Sequence, residues 1–224
     1  MIFEDNHLLI INKAPSEIVQ GDKTGDEPMV ETLKRFLKEK YNKPGNVYLG
    51  VVHRLDRPTS GIVIFAKTSK ALPRLNDMLQ KHEIQKTYWA VVKNQPPKTE
   101  DHLIHYLVRK PEKNKSFAYK REEKNSKKAE LIYKQLISSD NYHLLEVKLL
   151  TGRHHQIRSQ LSSIKCPIKG DIKYGFHTTN KDASIHLHAR RIEFIHPVTK
   201  EKIQLTAPTP QKDPIWAYFE KTLA

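Results

Sequence analysis

The chain has 224 residues, with 39 Lys plus Arg against 25 Asp plus Glu, and so carries a formal charge of +14 before histidine is counted. Its 38% of hydrophobic residues can bury a core, which excludes a disordered basic tail as a description of the whole, and the length fits one ordinary domain. No apolar run exceeds five residues, against the roughly 20 needed to cross a bilayer; the start Met1-Ile2-Phe3-Glu4-Asp5 is unlike a secretory signal, and the single Cys166 excludes an internal disulfide.

Taken in chain order, Leu8 to Ile11 is a continuous apolar run and predicts a buried strand. Pro28 opens a helix in which Val30, Leu33 and Leu37 share a face. Ile62 to Ala66 predicts a second buried strand, and Ser69 caps a helix with Leu72, Leu75 and Leu79 at helical spacing. Tyr88 to Val92 reads as a strand, and residues 94–101 as a short connection. Strands of mixed or alternating pattern follow at Leu131 to Ile137 and Leu144 to Leu150. A helix over Gln156 to Ile164 presents Ile157, Leu161 and Ile164 on one face, with Arg158 at its margin. His186 to Phe194 and Lys202 to Leu205 predict further strands, and a last helix runs from about Pro214 to Lys221. Strands outnumber helices without strict alternation, which predicts an α+β fold with a mixed, mostly antiparallel sheet and flanking helices.

Charge is concentrated. Residues 109–134 hold ten Lys or Arg against four Glu, a local surplus of +6 (10 − 4). Phe117 and Tyr119 lie among these charges without an amphipathic helical period, so the segment reads as a hairpin or loop that touches a nucleic-acid backbone rather than as a membrane-surface helix. The expected partner is a polyanion, no membrane is expected, and the expected compartment is the cytoplasm.

Two constellations carry candidate chemistry. In His53-Arg54-Leu55-Asp56-Arg57-Pro58-Thr59-Ser60-Gly61, a carboxylate stands between two arginines in a turn tied to a buried strand, so Asp56 is a candidate nucleophile or anchor, or else a turn cap. In Thr151-Gly152-Arg153-His154-His155-Gln156-Ile157-Arg158, Gly152 ends a strand and a helix start suits an anion, either a phosphate or a partner carboxylate such as Asp56 reached by Arg158. The pairs His154-His155 and His186-x-His188 lack companions at ligand spacing and do not read as a metal site. No G-x-S-x-G elbow and no nucleotide-cradling glycine loop is present.

The first constellation resembles the H-R-L-D-x-x-T-S-G motif of the RluA-type RNA pseudouridine synthases, and others occur in the same order. Lys86-Thr87-Tyr88 resembles that family's K-T-Y motif, and Thr151 to Arg158 its T-G-R-x-H-Q-I-R motif. Pro167-Ile168-Lys169-Gly170-Asp171 with Tyr174-Gly175, the opening Glu4-Asp5 with Leu8 to Lys13, and the closing Leu187-His188-Ala189 with His196-Pro197 also match. The resemblance implies the pseudouridine synthase catalytic fold and an isomerase that converts uridines of structured RNA, ribosomal or transfer, to pseudouridine, with no cofactor and no metal. It implies Asp56 as the catalytic carboxylate, Tyr88 packed on the uracil, and Arg158 paired with Asp56. Arg54 would fill the space left by the departing nucleotide, Leu187 would line the uracil pocket, and Arg153 and His155 would contact substrate.

Two departures stand out. Lys13 is followed by Ala14-Pro15-Ser16-Glu17 where the family continues into proline and glycine, and His154 replaces the usual threonine. The first loop is remote in sequence from Asp56, so its change is expected to bear on substrate contacts more than on catalysis. The family pattern begins at the first residues, which implies a single catalytic domain over 1–224 without a separate N-terminal RNA-binding domain. RNA is then gripped by the catalytic domain itself, with no obligatory protein partner and a monomer as the simplest state.

Overall fold

The run Ile62 to Ala66 is completely buried, as continuous apolarity demands of a strand covered on both faces. In the computed structural model, which describes residues 1–22 and 25–223, it belongs to a long sheet. The elements are β1 (Phe3–Glu4), β2 (Leu8–Lys13), α1 (Met29–Lys40), β3 (Gly50–Val51), β4 (Ser60–Ala66), α2 (Ala71–Gln80), β5 (Gln85–Val92) and β6 (Glu100–Lys110). They continue with β7 (Lys115–Tyr119), β8 (Lys127–Ser138), β9 (His143–Leu149), α3 (Gln156–Ser163), β10 (Leu187–Ile195), β11 (Lys202–Thr206) and α4 (Pro214–Leu223).

Across the sheet the order is β1-β2-β4-β10-β5-β9-β8-β6-β7, with β3 also on β4 and β11 also on β10. Among the described residues the pairing of β4 with β10 is parallel, His188 opposite Ser60 and Ala189 opposite Gly61, and the others are antiparallel. The fold is therefore α+β with a mixed, mostly antiparallel sheet. The parallel junction depends on Gly61: its φ is +112°, and a Cβ there would lie 2.4 Å from the Ala189 carbonyl oxygen.

Successive residues of β5 point to opposite faces. Trp89 and Val91 pack with Leu144 and with Trp216 and Phe219 of α4, while Tyr88 belongs to the main core on the other side. No helix of the described residues is long and apolar enough to cross a membrane.

Several sequence expectations shift. Ser69 does not cap α2: Lys70 holds the N-cap position without a side-chain cap bond, and the Thr68 hydroxyl before it accepts from the Ala71 N–H at 3.2 Å. Strand β9 stops at Leu149, so Gly152 lies in the turn beyond it rather than at its end. The connection after β5 is shorter than residues 94–101, because β6 begins at Glu100. That strand escapes the sequence pattern: its inward positions include the polar His105 between Leu103 and Leu107, while Ile104 faces solvent. Residues 109–134 do form a hairpin, β6 to β7, after which the chain crosses to β8 on the other side of β6.

Candidate active site

Asp56 sits in the loop between β3 and β4, which is pinned from several directions. The Thr59 N–H donates to the Asp56 carbonyl at 3.0 Å, and the Ile185 N–H to that of Pro58 at 3.0 Å. The Arg57 carbonyl accepts from the Ser16 N–H at 2.9 Å and from Lys13 Nζ at 3.1 Å. Lys13 is fully buried, donates also to the carbonyls of Ala14 and Glu17, and burial lowers its pKa to about 8. The loop after Lys13, remote in sequence, therefore touches the Asp56 loop directly. Its departure from the family pattern falls beside the Asp56 loop in space, although remote from it in sequence.

Arg158 is buried within α3 rather than at the margin of its face. Its Nη1 donates to Asp56 Oδ2 at 2.9 Å, while Nε and Nη2 grip both oxygens of Asp171 at 2.7 and 2.9 Å. Burial opposes the charge of Arg158, but the two carboxylates outweigh it and raise its pKa. The guanidinium lies 5.0 Å over the Tyr174 ring. Breaking such a buried set by removing its cation costs roughly 3–5 kcal/mol.

His155 approaches the same Asp56 oxygen, with Nε2 at 3.4 Å. Burial lowers its pKa to about 3, so the ring is neutral. The Tyr174 hydroxyl accepts from the Ser116 N–H at 2.8 Å and lies 3.0 Å from His155 Nδ1. Because Nε2 of the neutral ring faces the Asp56 carboxylate, the ring proton is assigned to Nε2, and the Tyr174 hydroxyl then donates to Nδ1. Asp56 Oδ1 has no hydrogen-bond partner among the described residues. One carboxylate oxygen is held and the other is open.

Asp56, Tyr88, Arg158, Arg54, Leu187, Arg153 and His155 all line one cleft. Tyr88 is buried on β5; burial and then the Asp56 charge push its hydroxyl above the usual tyrosine value, so it is a protonated phenol at neutral pH. Leu187 supplies an apolar wall and Arg54 an exposed cation at the mouth.

Sequence reasoning did not single out Asp171, Tyr174, Gln156, Thr59 or Lys13. Gln156 ties the Thr151–Arg153 turn: its Oε1 accepts from the Thr151 hydroxyl at 2.8 Å and from the Arg153 N–H at 2.9 Å, and its Nε2 donates to the Glu130 carbonyl at 2.9 Å. The amide thus closes the turn before α3, whose own start carries no side-chain cap. Thr59 Oγ1 lines the cleft, buried, with no partner among the described residues. The quoted motif containing Asp171 and Tyr174 was the one available signal for those two.

The histidine pairs are engaged by protein groups. His186 contacts Asn180 and Asp213, His188 contacts Ser60 and the Ala207 carbonyl, and His154 contacts Ser116. No group of three His, Cys, Asp or Glu among the described residues could hold a metal ion.

A profile of the family described as RNA pseudouridylate synthase matches residues 7–163, which include Asp56, Tyr88 and Arg158. The chain belongs to the RNA pseudouridylate synthase family. Its sequence is 35% identical over 219 residues to an uncharacterized RNA pseudouridine synthase of Helicobacter pylori, covering 93% of this chain and 65% of the relative. It is 32% identical over 222 residues to ribosomal large subunit pseudouridine synthase D of Zymomonas mobilis, covering 94% and 69%. The chain thus spans about two thirds of the length of these relatives. The solved structure of human RNA pseudouridylate synthase domain containing 4 superposes with a TM-score of 0.82 at 22% identity, covering 99% of this chain and 92% of that one, which shows the shared fold.

In this pseudouridylate synthase family member the cleft is flanked by the charged hairpin. Lys115 lies 4.8 Å over the Tyr174 ring and 5.4 Å over Phe117, and Lys110 lies 5.2 Å over Phe117. Of the ten cations in 109–134, only Lys128, paired with Glu130 at 2.7 Å, forms an ion pair among the described residues. The others keep their charge available to a partner.

Proposed function

We propose that the chain isomerises specific uridines of structured RNA, ribosomal or transfer, to pseudouridine, with Asp56 as the catalytic carboxylate. The observation that carries this reading is the half-satisfied carboxylate: Asp56 Oδ2 held by Arg158 at 2.9 Å, Oδ1 open, on the wall of a cleft lined by Tyr88 and Leu187. The reaction breaks the bond from uracil N1 to the sugar C1′, turns the base, and joins C5 to the same carbon. C5 loses a proton and N1 gains one, so no atom is added or removed overall. A carboxylate can serve by attacking C1′ or by taking a sugar proton, and both routes need an unshared oxygen beside the ribose.

Tyr88 and Leu187 suit a flat base turned out of its stack, and Arg54 at the mouth suits the vacated position. As a protonated phenol, Tyr88 can pass on the C5 proton only by giving up its own in the same step. The name of the Zymomonas mobilis relative favours ribosomal RNA as the first substrate to try. The test is to incubate the protein with total RNA from a strain lacking it and map pseudouridine. New pseudouridine at defined positions, absent with Asp56→Asn, is the expected result; RNA bound but unchanged by the wild-type protein contradicts the reading and favours an RNA-binding protein that retains the fold.

A further inference from the structure

Next to the cleft lies a second, wider depression whose lining includes His53, His82, Lys86, Thr151, Gly152 and Arg153 and contains no Asp or Glu. Leu149 and Arg153 form a shared wall, lining both spaces. Lys86 stands two residues before Tyr88 on the same face of β5, about 7 Å along the strand. It is only partly exposed, and its ammonium makes no hydrogen bond or ion pair with any described residue. A side-chain carbon at Gly152 would come within 3.6 Å of Lys86 Nζ, so the ammonium rests against bare backbone. His53 cannot compensate it: burial and then the Lys86 charge push its pKa down to about 3, and its Nε2 accepts from the Ile64 N–H at 3.3 Å.

Withdrawing an ammonium partly from water without a carboxylate beside it is unfavourable, and burial lowers the Lys86 pKa accordingly. The deficit is removed when an anion enters. The charged side chains that line the depression are cations, so electrostatics favours a phosphate, for which an ammonium point charge and a guanidinium fork are complementary ligands. Resting on the RNA reading above, we infer that Lys86 and Arg153 bind a backbone phosphate of the RNA strand next to the nucleotide whose base enters the Asp56 cleft. The shared wall gives the reason: a strand that delivers a base into one depression lays its sugar-phosphate chain across Leu149 and Arg153 into the other. Such a contact fixes the register of the strand without reading its bases.

The experiment measures binding of a fluorescently labelled twelve-nucleotide oligouridylate across a salt series. Wild type is compared with Lys86→Gln, with the charge-keeping Lys86→Arg, and with Lys221→Gln on α4 as a control. Loss of one phosphate contact lowers the magnitude of the slope of log affinity against log salt by about 0.7 for a single strand. Lys86→Gln is expected to show that drop, while Lys86→Arg and Lys221→Gln keep the wild-type slope; Lys86→Met stands in if the Gln variant does not fold. An unchanged slope in Lys86→Gln, or an equal drop in Lys221→Gln, overturns the phosphate site. Oligouridylate that fails to bind wild type, while total RNA is still converted, overturns the site and leaves the isomerase reading standing. A Lys86-dependent slope with no pseudouridine formed on total RNA leaves the site standing and overturns the isomerase reading alone.

Discussion

The Asp56–Arg158–Asp171 set and the hairpin over residues 109–134 are both built from charged side chains, yet the protein treats them in opposite ways. In the first, every charge has a partner at 2.7–2.9 Å, neutral His155 and the Tyr174 hydroxyl complete the surroundings, and one carboxylate oxygen is left over. In the second, only Lys128 has an acid partner among the described residues. Buried charge is affordable only when paired, whereas exposed cations cost little alone and gain by meeting a polyanion. On the function proposed above, chemistry and grip are separated, and each can be perturbed without the other.

The strongest way to break that division is at Asp56. Asp56→Asn keeps the shape and the hydrogen bond from Arg158 but removes the charge. Turnover on RNA is expected to fall at least about 10³-fold, the scale of a lost nucleophile or base, with RNA affinity within about twofold of wild type. A matching loss of affinity would show that the two regions are not separate.

Next in size is the cation itself. Arg158→Met strands the buried Asp171 beside Asp56 and is expected to destabilise the protein by roughly 3–5 kcal/mol in urea unfolding. Arg158→Met combined with Asp171→Asn should recover a substantial part of this, and failure of any recovery would contradict a charge-pairing origin.

Acid sharpens the contrast further. His53 and His155 are pushed to about 3 and His188 to about 4, in each case chiefly by burial. Below about pH 6.5 the unfolded chain takes up protons that the folded chain refuses until pH 3–4. The stability these neutral rings contribute is therefore complete above pH 6.5 and lost as pH falls toward 4, by about 1.4 kcal/mol per pH unit for each histidine. The urea midpoint should drop clearly between pH 7 and pH 5, and an unchanged midpoint would contradict their buried neutral state.

The smallest effect belongs to the hairpin. Lys110→Gln or Lys113→Gln should each reduce the salt slope of RNA binding by up to about 0.9 with no change in turnover at saturating RNA; a fall in turnover would place the hairpin in the chemistry.

Much of this was legible in the sequence because the chemistry is carried by short ordered segments. The turn around Asp56 announces itself by its polar density before a buried strand, and Arg153 and Arg158 by their spacing after Gly152. Where sequence reading failed, a three-dimensional partner decided the outcome. Asp171 reads as a loop acid until α3 brings Arg158 against it, and Gln156 reads as a helix residue until its amide closes the Thr151 turn. Lys13 looked remote, yet its ammonium crosses to the Arg57 carbonyl. Strand β6 stayed hidden because His105 occupies an inward position, where it meets Gln160 at 3.1 Å, and Ile104 an outward one, which blurs the alternation that marks a strand.

The central claim, that Asp56 drives replacement of an N1 bond by a C5 bond, is tested most directly with RNA carrying tritium at C5 of uridine. Forming the carbon–carbon bond expels that hydrogen to water. The wild-type protein is expected to release tritium in proportion to pseudouridine formed, and Asp56→Asn to bind the same RNA and release none. Release by Asp56→Asn at the wild-type rate would contradict the account.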